Sequence, residues 1–389
     1  MNLLLAVDIL SELADAVSFA FGMFWEILWA LILGFAISAA VQAVVSKAEM
    51  RRLLPDDSPR SLGIACGLGA ASSSCSYAAV AMARSIFRKG ADFTASMTLE
   101  FAATNLVVEL GIVMAVLLGW QFTLAEFVGG PLMIVALALL FRLLLTRRLV
   151  NDAREQAGRG LRGSMEGHAV MDMSVTEEGS LWSRLTSRQG FTATSHYFVM
   201  DCAAIWKDII GGLLIAGALA AWVPDSAWQS LFFSSHETFA KLWGPLVGPL
   251  VAVLSFVCSI GNVPLAAVLW NGGISFGGVV AFIFADLIVL PILNIYRKYY
   301  GLKVAAFLLA TFYTAMVAAA LVVEFLFQAA GLVPDKRDAK VVETSVTLNY
   351  TTVLNVIFLA LAGVLLIRFL RTNGLAMLRM MDEPEEATA

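Results

Sequence analysis

A chain of 389 residues that is 59% hydrophobic and 14% charged, with a mean hydropathy of +0.81, is far more apolar than a soluble protein, in which roughly half the residues are apolar and about 25% charged. It reads as an all-α polytopic membrane protein, with the lipid bilayer as its first partner. A formal net charge of −4 does not imply a nucleic-acid partner, and Cys66, Cys75, Cys202 and Cys258 all lie in or beside apolar segments, a poor placement for extracellular disulfides.

In chain order, residues 1–18 carry Asp8, Glu12 and Asp15 but no basic leader, so they read as an amphipathic helix rather than a cleaved signal peptide. A spanning helix needs about 20 apolar residues. Segments 19–45, 92–119, 124–146, 201–223, 274–296, 302–328 and 349–371 meet that length. Segments 61–85 and 242–270 are ambiguous, because Gly63, Gly67, Gly69 and the serines Ser72, Ser73, Ser74 and Ser76 interrupt the first and Pro245, Pro249, Gly261 and Pro264 the second.

Charge placement bears on the ambiguous pair. Lys47, Arg51, Arg52 and Arg60 precede segment 61–85, and Arg84, Arg88 and Lys89 close it, so the positive-inside rule puts both of its ends in the cytoplasm. A re-entrant hairpin meets that requirement. Span 92–119 then leaves to Gly119-Trp120-Gln121, and span 124–146 returns to Arg142, Arg147, Arg148 and Arg154. Span 201–223 leaves to Pro224-Asp225-Ser226, and span 274–296 arrives at Arg297 and Lys298, so segment 242–270 has both ends outside. It re-enters from the opposite face. Lys336, Arg337 and Lys340 lie outside against the rule, partly offset by Asp335, Asp338 and Glu343.

Laying Cys75 on Cys258, an offset of 183 residues, also aligns Ser76 with Ser259, Val80 with Val263, Gly90 with Gly273 and Phe93 with Phe276. The expected organisation is therefore two inverted repeats, 19–146 and 201–328, each containing a re-entrant or broken-helix hairpin. A flexible cytoplasmic linker 147–200 joins them. An external loop 329–348, a C-terminal transmembrane helix 349–371 and a cytoplasmic tail 372–389 follow. If both ambiguous segments span instead, the repeats become parallel and the N-terminus moves inside.

Two thiols, Cys75 and Cys258, each followed by a serine (Ser76 and Ser259), would make a compact soft site if the hairpins converge. Ordinary packing of small residues is the competing reading. Asp286 is central in span 274–296 and Asn105 in span 92–119; a carboxylate at that depth is a candidate proton relay, as are Glu100 and Glu109, which would sit about 180° apart on an unbroken helix. Asn262, in Gly261-Asn262-Val263-Pro264, either caps the next half-helix or lines the site. Asn271, Asn294 and the pair His236-Glu237 are weaker candidates, and His168 reads as solvated. Nothing resembles a P-loop, a CxxC pair or an HExxH helix, so no metal or cofactor is expected and any energy would come from an ion gradient.

Gly69-Ala70-Ala71-Ser72-Ser73-Ser74-Cys75-Ser76, the run Val257-Cys258-Ser259-Ile260-Gly261-Asn262-Val263-Pro264-Leu265-Ala266-Ala267, and the stretch from His196-Tyr197-Phe198 to Trp206-Lys207-Asp208 resemble a family of predicted bacterial permeases that includes organoarsenical efflux proteins. That resemblance implies a multi-pass protein of the bacterial inner membrane that exports a small soft-element or organic solute, such as a trivalent organoarsenical, with Cys75 and Cys258 as thiol ligands. Where many relatives look like Pro-x-Cys-Ser-Cys, this chain has Ser73 and Tyr77, so the vicinal second thiol is absent. The expectation is a secondary transporter of a small-molecule substrate, with homo-oligomerisation open. A membrane thiol enzyme would need a base beside a cysteine, yet all three histidines lie in loops or at membrane edges. A channel would need a charge ring or repeated filter sequence.

Overall fold

The computed structural model describes residues 2–44, 54–72, 76–88, 90–158, 175, 181–233, 236–255, 259–339 and 350–382. Among these every regular element is helical. Five helices are long and apolar enough to cross a membrane, or six if one bent pair counts as a single span. The expected all-α polytopic class is the observed one.

The helices are α1 (Asn2–Val44), α2 (Pro59–Ser72), α3 (Ser76–Arg88), α4 (Phe93–Asn105), α5 (Val108–Leu117), α6 (Trp120–Leu144), α7 (Arg147–Gly158), α8 (Leu181–Thr186) and α9 (Arg188–Trp222). They continue as α10 (Asp225–Phe232), α11 (Glu237–Ser255), α12 (Ser259–Asn271), α13 (Phe276–Phe284), a 3-10 turn Ala285–Ile288, α14 (Leu290–Tyr300), α15 (Leu302–Ala329), α16 (Tyr350–Arg371) and α17 (Gly374–Asp382).

Helices α2 and α3 form a hairpin. The chain leaves from Leu54 and comes back beside it, since the amide of Asp92 donates to the Leu54 carbonyl at 3.1 Å. Gly69 of α2 lies against Leu99, Ala102 and Ala103 of α4, so α2 and α4 run the same way, and α3 returns packed on α4 rather than on α2. At 1.5 Å per residue each arm is about 20 Å long, short of the ~30 Å hydrocarbon core. Helices α11 and α12 repeat the plan: Gly244 lies against Ser275 and Gly278, and Gly248 against Gly278 and Phe282, so α11 runs parallel to α13. Residues 73–75 and 256–258, which join the arms, are outside the described residues, and Cys75 and Cys258 fall among them.

Helix α6 relates the two hairpins. Near its start Phe122 meets Trp270 and Phe276 at ring-centroid distances of 5.1 and 4.6 Å, at the mouth of the second hairpin. Near its end Phe141 stacks on Phe93 at 5.8 Å, at the mouth of the first. The two phenylalanines are about 28 Å apart along a straight helix, so the mouths lie at opposite ends of α6.

Residue-level correspondence between the halves extends well beyond the cysteines. Shifting by 183 carries the start of α3 onto that of α12, the start of α4 onto that of α13, and the end of α5 onto that of α14. Gly90 and Gly273, with φ of 106° and 110°, turn the chain at each mouth, a conformation that favours glycine. Immediately after, the side chains of Asp92 and Ser275 cap α4 and α13 by accepting from the amides of Ala95 and Gly278. The cap is conserved in role while the residue differs, because either side-chain oxygen satisfies a free helical N–H.

Several boundaries differ from the sequence reading. Spans 92–119 and 274–296, expected to be continuous, are both broken. In the first, the Asn105 amide donates to the Phe101 carbonyl at 3.3 Å and to Thr104 Oγ1 at 2.9 Å, closing α4. In the second, Pro291 at the start of α14 cannot donate a backbone hydrogen bond, and the chain bends by 41° between Phe276–Ile288 and Leu290–Tyr300. The linker 147–200 is not structureless where it is described. It begins as α7 and ends inside α9, whose start is fixed by Ser187 accepting from the Gly190 amide at 2.9 Å. Helix α1 runs unbroken through the boundary expected at residue 18. His168 lies outside the described residues.

Helix α16 packs on α1 and α9. Buried Asn355 accepts from the Trp29 amide at 2.9 Å and donates to the Trp25 carbonyl at 2.8 Å. Interhelical hydrogen bonds in membranes average well under 2 kcal/mol, so Asn355→Ala should cost about 1 kcal/mol. Hydrogen exchange by mass spectrometry should then show α16 exchanging about fivefold faster, with α12 and α13 unchanged.

Candidate functional site

The polar centre is built from helix ends. Ser76 is the first residue of α3, Ser259 the first of α12, Thr104 and Asn105 the last of α4, and Asp286 sits in the 3-10 turn that follows α13. After Thr104 and Asn105 a polar side chain offers the backbone a way out of the helix, and a helix end exposes terminal groups that a side chain can meet.

Asp286 is fully buried. Its Oδ2 accepts a 2.7 Å hydrogen bond from Ser76 Oγ, a contact between residues 210 apart in sequence that joins the two halves. The side chains of Asn105, Thr104 and Ser259 border the same carboxyl. Of the residues expected at the site, Ser76, Ser259, Asn105 and Asp286 therefore converge. Asn262 is fully buried one turn into α12.

Two further carboxyls approach Asp286 closely enough to interact with its charge, Glu100 and Glu126. Glu100 on α4 accepts from the hydroxyl of Tyr296 on α14, while its other oxygen has no hydrogen-bond partner. Glu126 on α6 is fully buried with neither oxygen hydrogen-bonded. Sequence reasoning missed Glu126, Thr104 and Tyr296. An acid placed within the apolar span 124–146 was a legible signal; the Tyr296 contact depends on the bend at Val289, which no local pattern announced.

Glu109 does not join this group. Because the helix breaks after Asn105, the phase linking Glu100 to Glu109 is reset, and Glu109 in the first turn of α5 instead abuts Gly34 of α1, with Asp201 of α9 the neighbouring charge. Asp201 in turn accepts from Gln42 at 2.8 Å. Other candidates serve the periphery. Asn271 clasps both backbone groups of Ala339 at 3.0 Å, Asn294 accepts from Arg297 at 2.8 Å, and the ring nitrogens of His196 meet Met377 Sδ at 2.8 Å and Thr372 Oγ1 at 2.7 Å. His236 and Trp206 are exposed. Among the described residues, no three His, Cys, Asp or Glu side chains are grouped so as to hold a metal ion.

A buried acid is tolerated at membrane depth when it is hydrated, paired or protonated, and broken helices in apolar surroundings are tolerated where protein or a water-filled cavity satisfies their backbone. Apolar helices, two broken hairpins and a central acid together define the architecture of a polytopic membrane permease. Residues 12–325 match the model of a family described as predicted permease, and the chain belongs to that family. It is also similar to a protein of Mycobacterium tuberculosis (strain ATCC 25618 / H37Rv) named "Putative permease Rv2963", 62% identical over 344 residues that cover 88% of this chain and 85% of that protein. No solved structure matches it. Family membership points to a transporter rather than an enzyme.

Proposed function

We propose that the protein is a secondary transporter of the bacterial inner membrane that exports a small soft-element or organic solute, such as a trivalent organoarsenical, in exchange for protons. The two halves are inverted repeats, their hairpins re-enter from opposite faces, and the C-terminus is cytoplasmic. The hydrogen bond from Ser76 to Asp286 carries the reading, because it makes the end of one hairpin arm and the acid of the other half parts of one locus. Cys75 and Cys258 are the residues preceding Ser76 and Ser259 in the chain, and supply the thiolates suited to a soft, thiophilic centre. Asn105, Asn262 and Ser259 complete the binding surface. Asp286 and Glu100, with Glu126 beside them, carry the proton.

Reconstituted into liposomes, the purified chain should drive proton movement only when a trivalent arsenical gradient is imposed. Cys75→Ser and Cys258→Ser should each lower arsenical uptake by about tenfold or more, since loss of even a group that only orients a ligand costs roughly 10–100-fold. Unchanged uptake in both would remove the thiols from the site, and arsenical uptake without proton movement would remove the coupling. Single cysteines placed at Asp57 and Gly90 should react with an impermeant maleimide from the cytoplasmic face; reaction of the two from different faces would replace re-entrance by a span.

A further inference from the structure

The mouths of the two hairpins are each fastened by an arginine, and the two arginines stand at the same place in their repeats. Arg154 in α7 lies 4.7 Å over the ring of Phe87 and donates from Nη2 to the Ala91 carbonyl at 3.2 Å. Arg337, in the segment after α15, lies 4.2 Å over the ring of Trp270 and donates from Nη1 to the Ile274 carbonyl at 2.7 Å. Phe87 and Trp270, Ala91 and Ile274, Arg154 and Arg337 are all related by the 183-residue shift that relates the helix boundaries. Arg337 also donates to the Trp270 carbonyl at 2.7 Å.

Each arginine ties the connector that follows the last helix of its own half to the turn between hairpin and next helix. Behind each lies an aromatic cluster: Phe87, Phe93, Phe141 and Tyr300 at one end, Phe122, Trp270, Phe276 and Phe327 at the other. Membrane insertion would not by itself retain both arginines. If the halves face opposite sides, the positive-inside rule favours one of them and disfavours the other, yet Arg337 is present outside with its stacking and carbonyl contacts intact. A cation over an aromatic ring is strengthened where water is sparse, and a guanidinium can stack and donate in a fixed fork at once.

We propose that Arg154 and Arg337 are matched latches that close the transport path at opposite faces, both fastened in the state described here and released one at a time during transport. This rests on the opposed orientation of the halves proposed above. The test uses the full chain with its four native cysteines replaced by serine and one reporter cysteine at buried Thr104, in right-side-out and inverted vesicles, probed with an impermeant maleimide. Arg154→Gln should speed labelling about tenfold from the cytoplasmic side alone, and Arg337→Gln by a similar factor from the outer side alone, a tenfold shift being what loss of a modest contact gives in a two-state gate. Arg→Lys at either position should fall between.

Unchanged labelling in both folded glutamine variants would overturn the latches while leaving the opposed halves standing. Opening of the same face by both would overturn the opposed arrangement, and with it the alternation. Failure of both the glutamine and lysine variants to elute as folded protein would also overturn the proposal, since a contact released in every cycle cannot be one the fold depends on.

Discussion

Asp286→Asn is expected to reduce proton-coupled transport on the order of a hundredfold or more, the scale seen when a positioned proton-transfer group is lost, while the chain still inserts and elutes as folded protein. Asparagine matches aspartate in size, and its amide oxygen can still accept from Ser76 Oγ, which now sits 2.7 Å from Asp286 Oδ2. The bridge between the halves should therefore survive, and only the ability to hold and release a proton disappears. Ser76→Ala removes the bridge and keeps the acid, so it should cost stability by about 1 kcal/mol and leave proton coupling in place. Measuring solute uptake and internal pH in the same liposomes separates the two variants. Wild-type coupling in Asp286→Asn would reduce the acid to a packing residue.

Gly248→Leu should be the most damaging substitution in the second hairpin, lowering stability by about 3 kcal/mol or more through overpacking. Gly244 and Gly248 stand one turn apart on α11 and meet Gly278 of α13, an arrangement in which small residues let two backbones approach. A Cβ added at Gly248 would fall 2.4 Å from the Gly278 carbonyl oxygen and 3.1 Å from the Phe282 amide. Backbone atoms cannot rotate away as a side chain can, so the helices must separate. Alanine at 248 should lose less, its single methyl being partly offset by helix propensity worth about 1 kcal/mol. Gly67 supplies the contrast, because a Cβ there meets nothing within 4 Å, and Gly67→Ala should be neutral or slightly stabilising. The fraction eluting as folded protein after heating in detergent ranks all three; equal losses at 248 and 67 would mean that close helix approach is not what holds α11 to α13.

Segments 61–85 and 242–270 were legible as departures from a plain span because charge and composition report them independently. Arginines on both sides of segment 61–85 and prolines within 242–270 mark the stretches that here divide into two helices each, α2 with α3 and α11 with α12. The serines that follow the cysteines were legible for a related reason: small polar residues in a deeply apolar run have few uses other than a break. Less could be seen of the breaks after Asn105 and around Asp286, where 92–119 and 274–296 are apolar enough to read as continuous. Hydropathy averages over a turn or more, whereas one side-chain amide folding back on a carbonyl a turn earlier, as Asn105 does on Phe101, is enough to end a helix. Glu126 was passed over because a single acid barely changes the mean hydropathy of a 25-residue helix, although its depth carried the information. Arg337 was visible as an exception to the charge rule, and its counterpart Arg154 was visible as an ordinary example of it. Their equivalence emerges only when both are placed on the shift that the cysteines suggested.

The repeat-equivalent of Asp286 is Ala103, which is fully buried. Were the molecule a dimer of two identical half-chains, its centre would hold either two such acids facing one another or none. Two ionised acids face to face among apolar helices would repel strongly, and none would remove the acid that Ser76 now meets. On the repeat proposed above, joining the halves into one polypeptide lets each drift separately, so that Asp286 can stand in one half with alanine at its counterpart in the other. The covalent link between the halves is thus what would permit an aspartate with no twin at the centre of a repeated scaffold.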